Sequence, residues 1–271
     1  MVRDRRAAHE RLSLAPAPSQ MRISRRGLAF VTLSVLASRA ALALAQLSAT
    51  SPAVPPLTPE AHLIASLRSK IPLEPVALEA DPYITWRDTG PPPAPAGTVC
   101  GVRFEPDQIH YRLARFDDTA AARTAGYAVT HFGACGTCSS LQDLAVYLEK
   151  PDLTAPVRRC GVSRSAAVGL TCLKNLGFST ACAQTWLYNL QNTRHRCLGV
   201  CLWSWIEGKP PTGKEGRLNA CLQCDEERSG PIFKATAGRT RRNSGIHSSI
   251  PRPDDEIAPV VHDYVPDLAP Q

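Results

Sequence analysis

Cys135-Gly136-Thr137-Cys138-Ser139-Ser140-Leu141-Gln142-Asp143-Leu144-Ala145-Val146-Tyr147-Leu148 is the stretch on which the fold reading turns. Two cysteines in a glycine turn are followed at once by a helix signal. Ser139, with Gln142 three residues on, forms a capping box that satisfies N-terminal amides of the helix. Leu141, Leu144, Ala145 and Leu148 share one helical face at i, i+3, i+4 and i+7. Pro151 ends the run, because proline cannot donate and clashes with the preceding turn. Upstream, Thr98–Phe104, Ile109–Phe116 and Tyr127–His131 read as short strands. Asp117 or Asp118 caps a short helix between the second and third, ended by Gly126. Downstream the chain reads helical to about residue 240, in helices of about 8–16 residues. Gly177 and Gly208 with Pro210-Pro211 are stops; Ser179, Thr193, Asn219 and Ser229 are starts. The expected fold is mainly α with a small N-terminal β element, an α+β domain.

Cysteine use sets what holds that domain together. All ten (Cys100, Cys135, Cys138, Cys160, Cys172, Cys182, Cys197, Cys201, Cys221 and Cys224) lie in one block. A density of about 8% there marks a disulfide scaffold. An even count in an exported chain predicts up to five disulfides and leaves their pairing open. The aromatic content is only 6%, so cross-links are expected to compensate for a thin core.

The net charge of +7 invites a nucleic-acid reading. Its distribution removes it. Residues 1–45 hold eight Arg and two acids; the remainder carries 23 basic and 22 acidic side chains. The basicity belongs to a leader, and no nucleic-acid partner is expected. Ser24-Arg25-Arg26-Gly27-Leu28 opens an apolar run, and Ala43-Leu44-Ala45 supplies a small-residue cleavage site before Gln46. This resembles a bacterial twin-arginine export signal, with Met21 as the expected true start. The resemblance implies a secreted or periplasmic protein whose only membrane contact is the transient signal segment. Alternatives are an organellar transit peptide or an anchor through residues 28–45. Twin-arginine export follows folding, whereas disulfides form in an oxidising space, so the two readings pull against each other.

Residues 46–97 contain eleven Pro and read as an extended linker, with Tyr83–Trp86 as one docked strand. Residues 98–245 form the expected globular domain. Residues 246–271, with Asp254-Asp255-Glu256, read as an acidic, Pro-containing tail.

Three chemistries compete for the candidate residues. A strand, Cys135-Gly136-Thr137-Cys138 and a capped helix in series resemble the thioredoxin-type redox site. That implies Cys135 as the exposed thiolate, stabilised by the helix N-terminus, and Cys138 as the resolving thiol. The family's Trp before the first cysteine is Ala134 here, and no proline lies between Pro156 and Pro210 to face the motif. Structural disulfides therefore lead. Cys135/Cys138 with Cys221/Cys224 have the shape of a four-thiolate zinc knuckle, but the gap between the pairs far exceeds the usual 15–20 residues. Lys234, Arg239, Arg241 and Arg242 form a local basic patch for an anion or a phosphorylated ligand; the plainer reading is a solvated surface or a partner for the acidic tail. Trp203 and Trp205, two apart, face different sides of a helix, one toward the core and one toward a contact surface. No cofactor motif stands out. The function expected is an exported, disulfide-stabilised binding or structural protein, with a protein or small molecule as ligand. Thiol–disulfide oxidoreductase and cysteine-ligated metalloprotein are the alternatives.

Overall fold

A computed structural model describes residues 58–163, 165–213, 216–251 and 253–264. The leader with its cleavage site, the first part of the Pro-rich stretch and the last seven residues lie outside the described residues.

Four strands form one sheet: β1 (Ile71–Pro72), β2 (Val99–Phe104), β3 (His110–Phe116) and β4 (Ala128–Phe132), in the order β1-β3-β2-β4. β2 pairs antiparallel with both β3 and β4, and β1 adds to β3 in parallel. The β2–β3 turn is held by Asp107, whose Oδ1 accepts from the Ile109 and His110 amides. Gly101 is required in β2: a Cβ there would meet Tyr127 Cβ at 2.8 Å, in the space where Phe116 and Tyr127 stack with centroids 5.0 Å apart. The three strands read from alternation match β2, β3 and β4 to within a residue or so.

The helices are α1 (Pro59–Ser69), α2 (Pro82–Thr85), α3 (Thr119–Thr124), α4 (Leu141–Glu149), α5 (Thr154–Gly161), α6 (Ala166–Asn175), α7 (Thr180–Ile206), α8 (Ala220–Arg228) and α9 (Gly230–Ala237). Asp118 caps α3 by accepting from the Ala121 amide. The cap of α4 sits one residue later than the capping box placed it. Ser140 accepts from the Asp143 amide, because the Ser139 hydroxyl is taken by His131 and by the Gly136 amide. Ser179 and Asn219 cap α7 and α8 by accepting from the Cys182 and Leu222 amides. Thr193 starts nothing. It lies inside α7, a helix of 27 residues, where its hydroxyl donates to Asp225 of α8 instead of to a cap.

Two segment readings are corrected. Residues 58–97 are not a free extended linker, because their prolines occupy positions that tolerate them. Pro59 and Pro82 stand in the first turns of α1 and α2, where no amide donor is needed. Pro72 lies between Ile71 and Leu73, whose amides make the bonds to β3 through Ile109 O and Tyr111 O. Tyr83 belongs to a helical turn, not a strand. Its hydroxyl donates to Asn189 Oδ1 at 2.7 Å, with the Ser229 carbonyl also within 3.0 Å. Nor does the folded unit end at residue 245. Ile246 is buried, Tyr264 packs against the core, and the Ala258 amide bonds Arg242 O.

The core centres on α4, whose Leu141, Leu144, Ala145 and Val146 are fully buried. Around it lie Leu67 of α1, Tyr111 of β3, Val157, Leu173, Phe178 and Cys182. Five disulfides cross this arrangement. Cys100–Cys135 ties β2 to the loop after β4, and Cys138–Cys182 ties that loop to α7. Cys160–Cys172 joins α5 to α6; Cys197–Cys224 and Cys201–Cys221 join α7 to α8. Each closes a loop of 12 to 44 residues, which removes roughly 3 kcal/mol of freedom from the unfolded chain in the entropic account.

If α1 is part of the core, Leu67→Ala lowers unfolding stability by about 2–5 kcal/mol in urea under non-reducing conditions. An unchanged midpoint would return residues 58–69 to the status of a linker.

Candidate functional site

The cysteine motif sits at the junction of β4, α4 and the C-terminal end of α9. The Thr137 and Cys138 amides donate to Thr236 O and Ala237 O at 3.0 and 2.9 Å. Two glycines make this approach possible. A Cβ on Gly136 would lie 2.4 Å from Thr236 O, and one on Gly238, whose φ is +70°, 2.6 Å from Ala134 O. The loop is closed from both sides, and Cys138 is fully buried.

Neither cysteine of the motif is bonded to the other. Cys135 is paired with Cys100, and Cys138 with Cys182. A thioredoxin-type cycle needs the two sulfurs to bond reversibly to each other with the first exposed. Here helix α4 begins at Leu141 with its cap already filled by Ser140, so the redox reading of Cys135 and Cys138 is not what the geometry builds. The zinc-knuckle reading fails on the same bonds: Cys221 and Cys224 pair with Cys201 and Cys197, and an oxidised sulfur is no thiolate ligand. Among the described residues no cysteine is free, and no three His, Cys, Asp or Glu side chains are grouped to hold a metal ion.

The four basic residues do not form one patch. Arg239 is 0% exposed. Its Nε donates to Cys138 O, Nη1 to Thr130 O and the Ser244 hydroxyl, and Nη2 to the Thr130 hydroxyl and Ser139 O, all within 2.7–3.2 Å. Arg241 donates to the carbonyls of Tyr147 and Lys150 at the end of α4, where a cation complements the helix C-terminus. Arg242 pairs with Glu256 of the acidic segment at 2.8 Å, and Lys234 with Glu226 at 2.8 Å. Each cation is committed to a protein acceptor, and no anion cradle is left between them.

Sequence reasoning missed the polar network around Arg239. His131 Nδ1 donates to Phe132 O at 2.9 Å, which leaves Nε2 to accept the Ser139 hydroxyl at 2.7 Å. The spacing is that of a nucleophile and its base, but both side chains are fully buried and the Gly136 amide occupies the serine oxygen. The pair therefore acts as a fastener. Burial and the Arg239 charge hold the His131 imidazole well below its ordinary range and lower His262 from 6.5 to about 4. Asp143 accepts from the Ser140 hydroxyl and from the amide and hydroxyl of Ser179; burial raises its carboxyl from 3.8 to about 6. A local signal existed only for Asp143, in its i+3 spacing from Ser140.

The surface feature that stands apart is the last part of α7. Cys197 and Cys201 face α8, and Ser204 is buried. Leu198, Leu202, Trp203, Trp205 and Ile206 face solvent, with Trp203 62% and Trp205 72% exposed. The expectation that one tryptophan would be core is corrected: both are outside, and Trp186 takes the core place against Phe178 and Phe233. The two hairpin disulfides, at Cys197 and Cys201, hold the start of this stretch to α8.

Fold and surface together define a disulfide-stapled α+β protein. Residues 166–260, about a third of the chain, are similar to a family of unknown function (DUF8771). The matched stretch runs from α6 through the α7–α8 hairpin to the segment that carries Glu256. No curated protein and no solved structure matches the chain.

The network gives the protein a defined pH response. His131 and His262 have folded pKa values below their unfolded ones, so their contribution to stability is present above about 6.5 and is lost as pH falls. Asp143 is raised, so its contribution runs the other way, present below 3.8 and lost as pH rises through about 6. At pH 5 the unfolded chain binds two protons on the imidazoles against about one on the folded carboxyl, and acid wins as destabiliser. Stability measured by urea titration falls from pH 6.5 to pH 4.5. Asp143→Asn steepens the fall to about two protons, and an unchanged slope would show that the carboxyl is ionised in the fold.

Proposed function

We propose that this is an exported, disulfide-stapled binding protein whose contact surface is the apolar end of the α7–α8 hairpin. The observation that carries the reading is the exposure of Leu198, Leu202, Trp203, Trp205 and Ile206 on one short helical stretch. Single exposed apolar side chains are ordinary; a contiguous group containing two tryptophans marks a surface that meets something. The two disulfides at the start of the stretch support it, because a surface built on a cross-linked helix loses little conformational freedom on binding. Five disulfides fit an oxidising compartment. No helix among the described residues is long and apolar enough to cross a membrane. Export rests on the leader motif and on this cysteine chemistry.

A surface kept for binding contributes little to folding. Trp203→Ser with Trp205→Ser leaves unfolding stability within about 0.5 kcal/mol for each substitution, as expected at sites making no core contact. A loss above about 3 kcal/mol would make the tryptophans structural and remove the binding reading. Export has its own check: mature protein from the native source begins at Gln46 by intact mass. A mass retaining residues 1–45 would end the cleaved-signal assignment.

A further inference from the structure

The apolar end of α7 has a shape and a charge that select among partners. Leu198, Leu202, Trp205 and Ile206 fall at i, i+4, i+7 and i+8 and make one outward stripe. Trp203 and Val200 project from the opposite flank, both exposed. Among the described residues the side of Cys197 and Cys201 is stapled to α8, and Ser204 on the same side is buried. Apolar groups therefore surround the end of the helix on every side except the one stapled to its neighbour. A partner helix or a flat protein face covers one stripe; a medium into which the end is pushed covers all of it. Tryptophan pairs with this geometry for a physical reason. Its large ring is apolar while its N–H stays hydrogen-bonded, which places it at the boundary between hydrocarbon and water.

Charge adds a second, independent indication. Residues 194–217 hold five cations (Arg194, Arg196, Lys209, Lys214 and Arg217) against Glu207 and Glu215. Lys209 pairs with Glu207. Arg194, Arg196 and Arg217 are exposed and form no ion pair with a described carboxylate. The rest of the chain after residue 45 has 18 basic and 20 acidic side chains, so the positive excess falls within this stretch of sequence, set against Asp225, Glu226 and Glu227 of α8. Arg194 and Arg196 stand about a turn before the apolar stripe, and Arg217 follows it in the return to α8. An apolar, tryptophan-bearing end ringed by unpaired arginines is complementary to a lipid surface carrying negative headgroups, with hydrocarbon below and phosphate around the rim.

We infer that the partner of this surface is an anionic membrane interface, into which Trp203, Trp205 and Ile206 insert to headgroup depth while Arg194, Arg196 and Arg217 bind headgroup phosphates. This contact is separate from the leader, and it rests on reading the α7–α8 end as a binding surface. α7 does not cross the bilayer. Two disulfides hold its inner side to α8, and Arg194 and Arg196 stop it at the interface.

The test uses the full chain with its disulfides formed and vesicles whose acyl chains are brominated near the headgroup. One set is phosphatidylcholine alone and the other equal parts phosphatidylcholine and phosphatidylglycerol. No tryptophan precedes Trp86, so tryptophan quenching reports on the folded domain and is silent about the leader. The expected result is quenching by the anionic vesicles at least about tenfold stronger than by the neutral ones, weakened by high salt. Trp203→Ser with Trp205→Ser abolishes co-sedimentation of the protein with the anionic vesicles, and Arg194→Gln with Arg196→Gln weakens the quenching at unchanged fold. Absence of free thiols in denaturant confirms that each variant keeps its cross-links. Equal quenching by both vesicle types overturns the inference, because the arginines then contribute nothing. Absence of quenching overturns it as well. In that case sedimentation separates the two failures. A dimer returned to monomer by the tryptophan variant means that a second copy covers the end, and the binding-surface reading survives without lipid. A monomer throughout, with a variant that loses stability, ends both.

Discussion

The guanidinium of Arg239 is the constraint on which the rest of the fold depends. Burying a cation away from water is costly unless every donor is used. Among the described residues Arg239 makes no ion pair, and it is satisfied by three carbonyls and two hydroxyls. Those acceptors belong to β4, to the turn carrying Cys138 and Ser139, and to Ser244 in the short 3-10 helix Arg242–Ser244. One side chain therefore sets the distance between three segments that are remote in sequence. The glycines at 136 and 238 let the backbones close around it, and the amides of Thr137 and Cys138 complete the seal. This explains why the cysteine motif points inward. The turn that holds the Arg239 acceptors cannot also open to present a reactive sulfur.

The disulfides follow from that closure. With the turn fixed, Cys135 lies beside Cys100 of β2 and Cys138 beside Cys182 at the start of α7, at Cα separations of 4.9 and 4.6 Å. Those two bonds carry the sheet onto the helices. The remaining three act within the helical half. Cys197 and Cys201 are one turn apart on α7 and meet Cys224 and Cys221 on an antiparallel neighbour. The polar cluster above them has the same effect without sulfur: Asp225 accepts from Thr193 and Asn189, and Thr193 and Asn192 bond Ser229. α7 is held along its length by side-chain chemistry and can leave its last turns apolar and uncovered.

How much of this was legible in the sequence depended on the range of the interaction. Strands β2, β3 and β4, the Asp118, Ser179 and Asn219 caps and the break at Gly177 rest on residues within a few positions of each other, and they read correctly. Ser139 was mistaken for the α4 cap because its hydroxyl partner, His131, lies eight residues upstream, beyond any capping pattern. Thr193 has the side chain of a helix start, and only Asp225, 32 residues away, makes it an interior residue. Proline density suggested a linker because composition does not reveal position. Pro59, Pro72 and Pro82 each fall where the missing donor costs nothing. Cysteine pairing was open because it is decided by which elements become neighbours. The burial of Arg239 had no sequence signal at all, since a basic residue among Arg241, Arg242 and Lys234 looks like surface.

The same logic separates the two kinds of arginine in this protein. Arg239 and Arg241 are consumed by backbone carbonyls, and Arg242 by Glu256. Their charge is spent on holding the fold and is unavailable to a ligand. Arg194, Arg196 and Arg217 meet no carboxylate among the described residues, and they flank the stretch where two exposed tryptophans stand beside Leu198, Leu202 and Ile206. A domain stabilised by cross-links and a buried polar hub does not need those apolar residues for its core. Natural surfaces tend to lose tryptophan where it serves neither folding nor contact, because exposed patches promote aggregation. The arrangement is economical only if the uncovered end of α7 has a partner. The partner's chemistry is then written in what surrounds that end: apolar on all free sides, tryptophan at the boundary and positive at the rim.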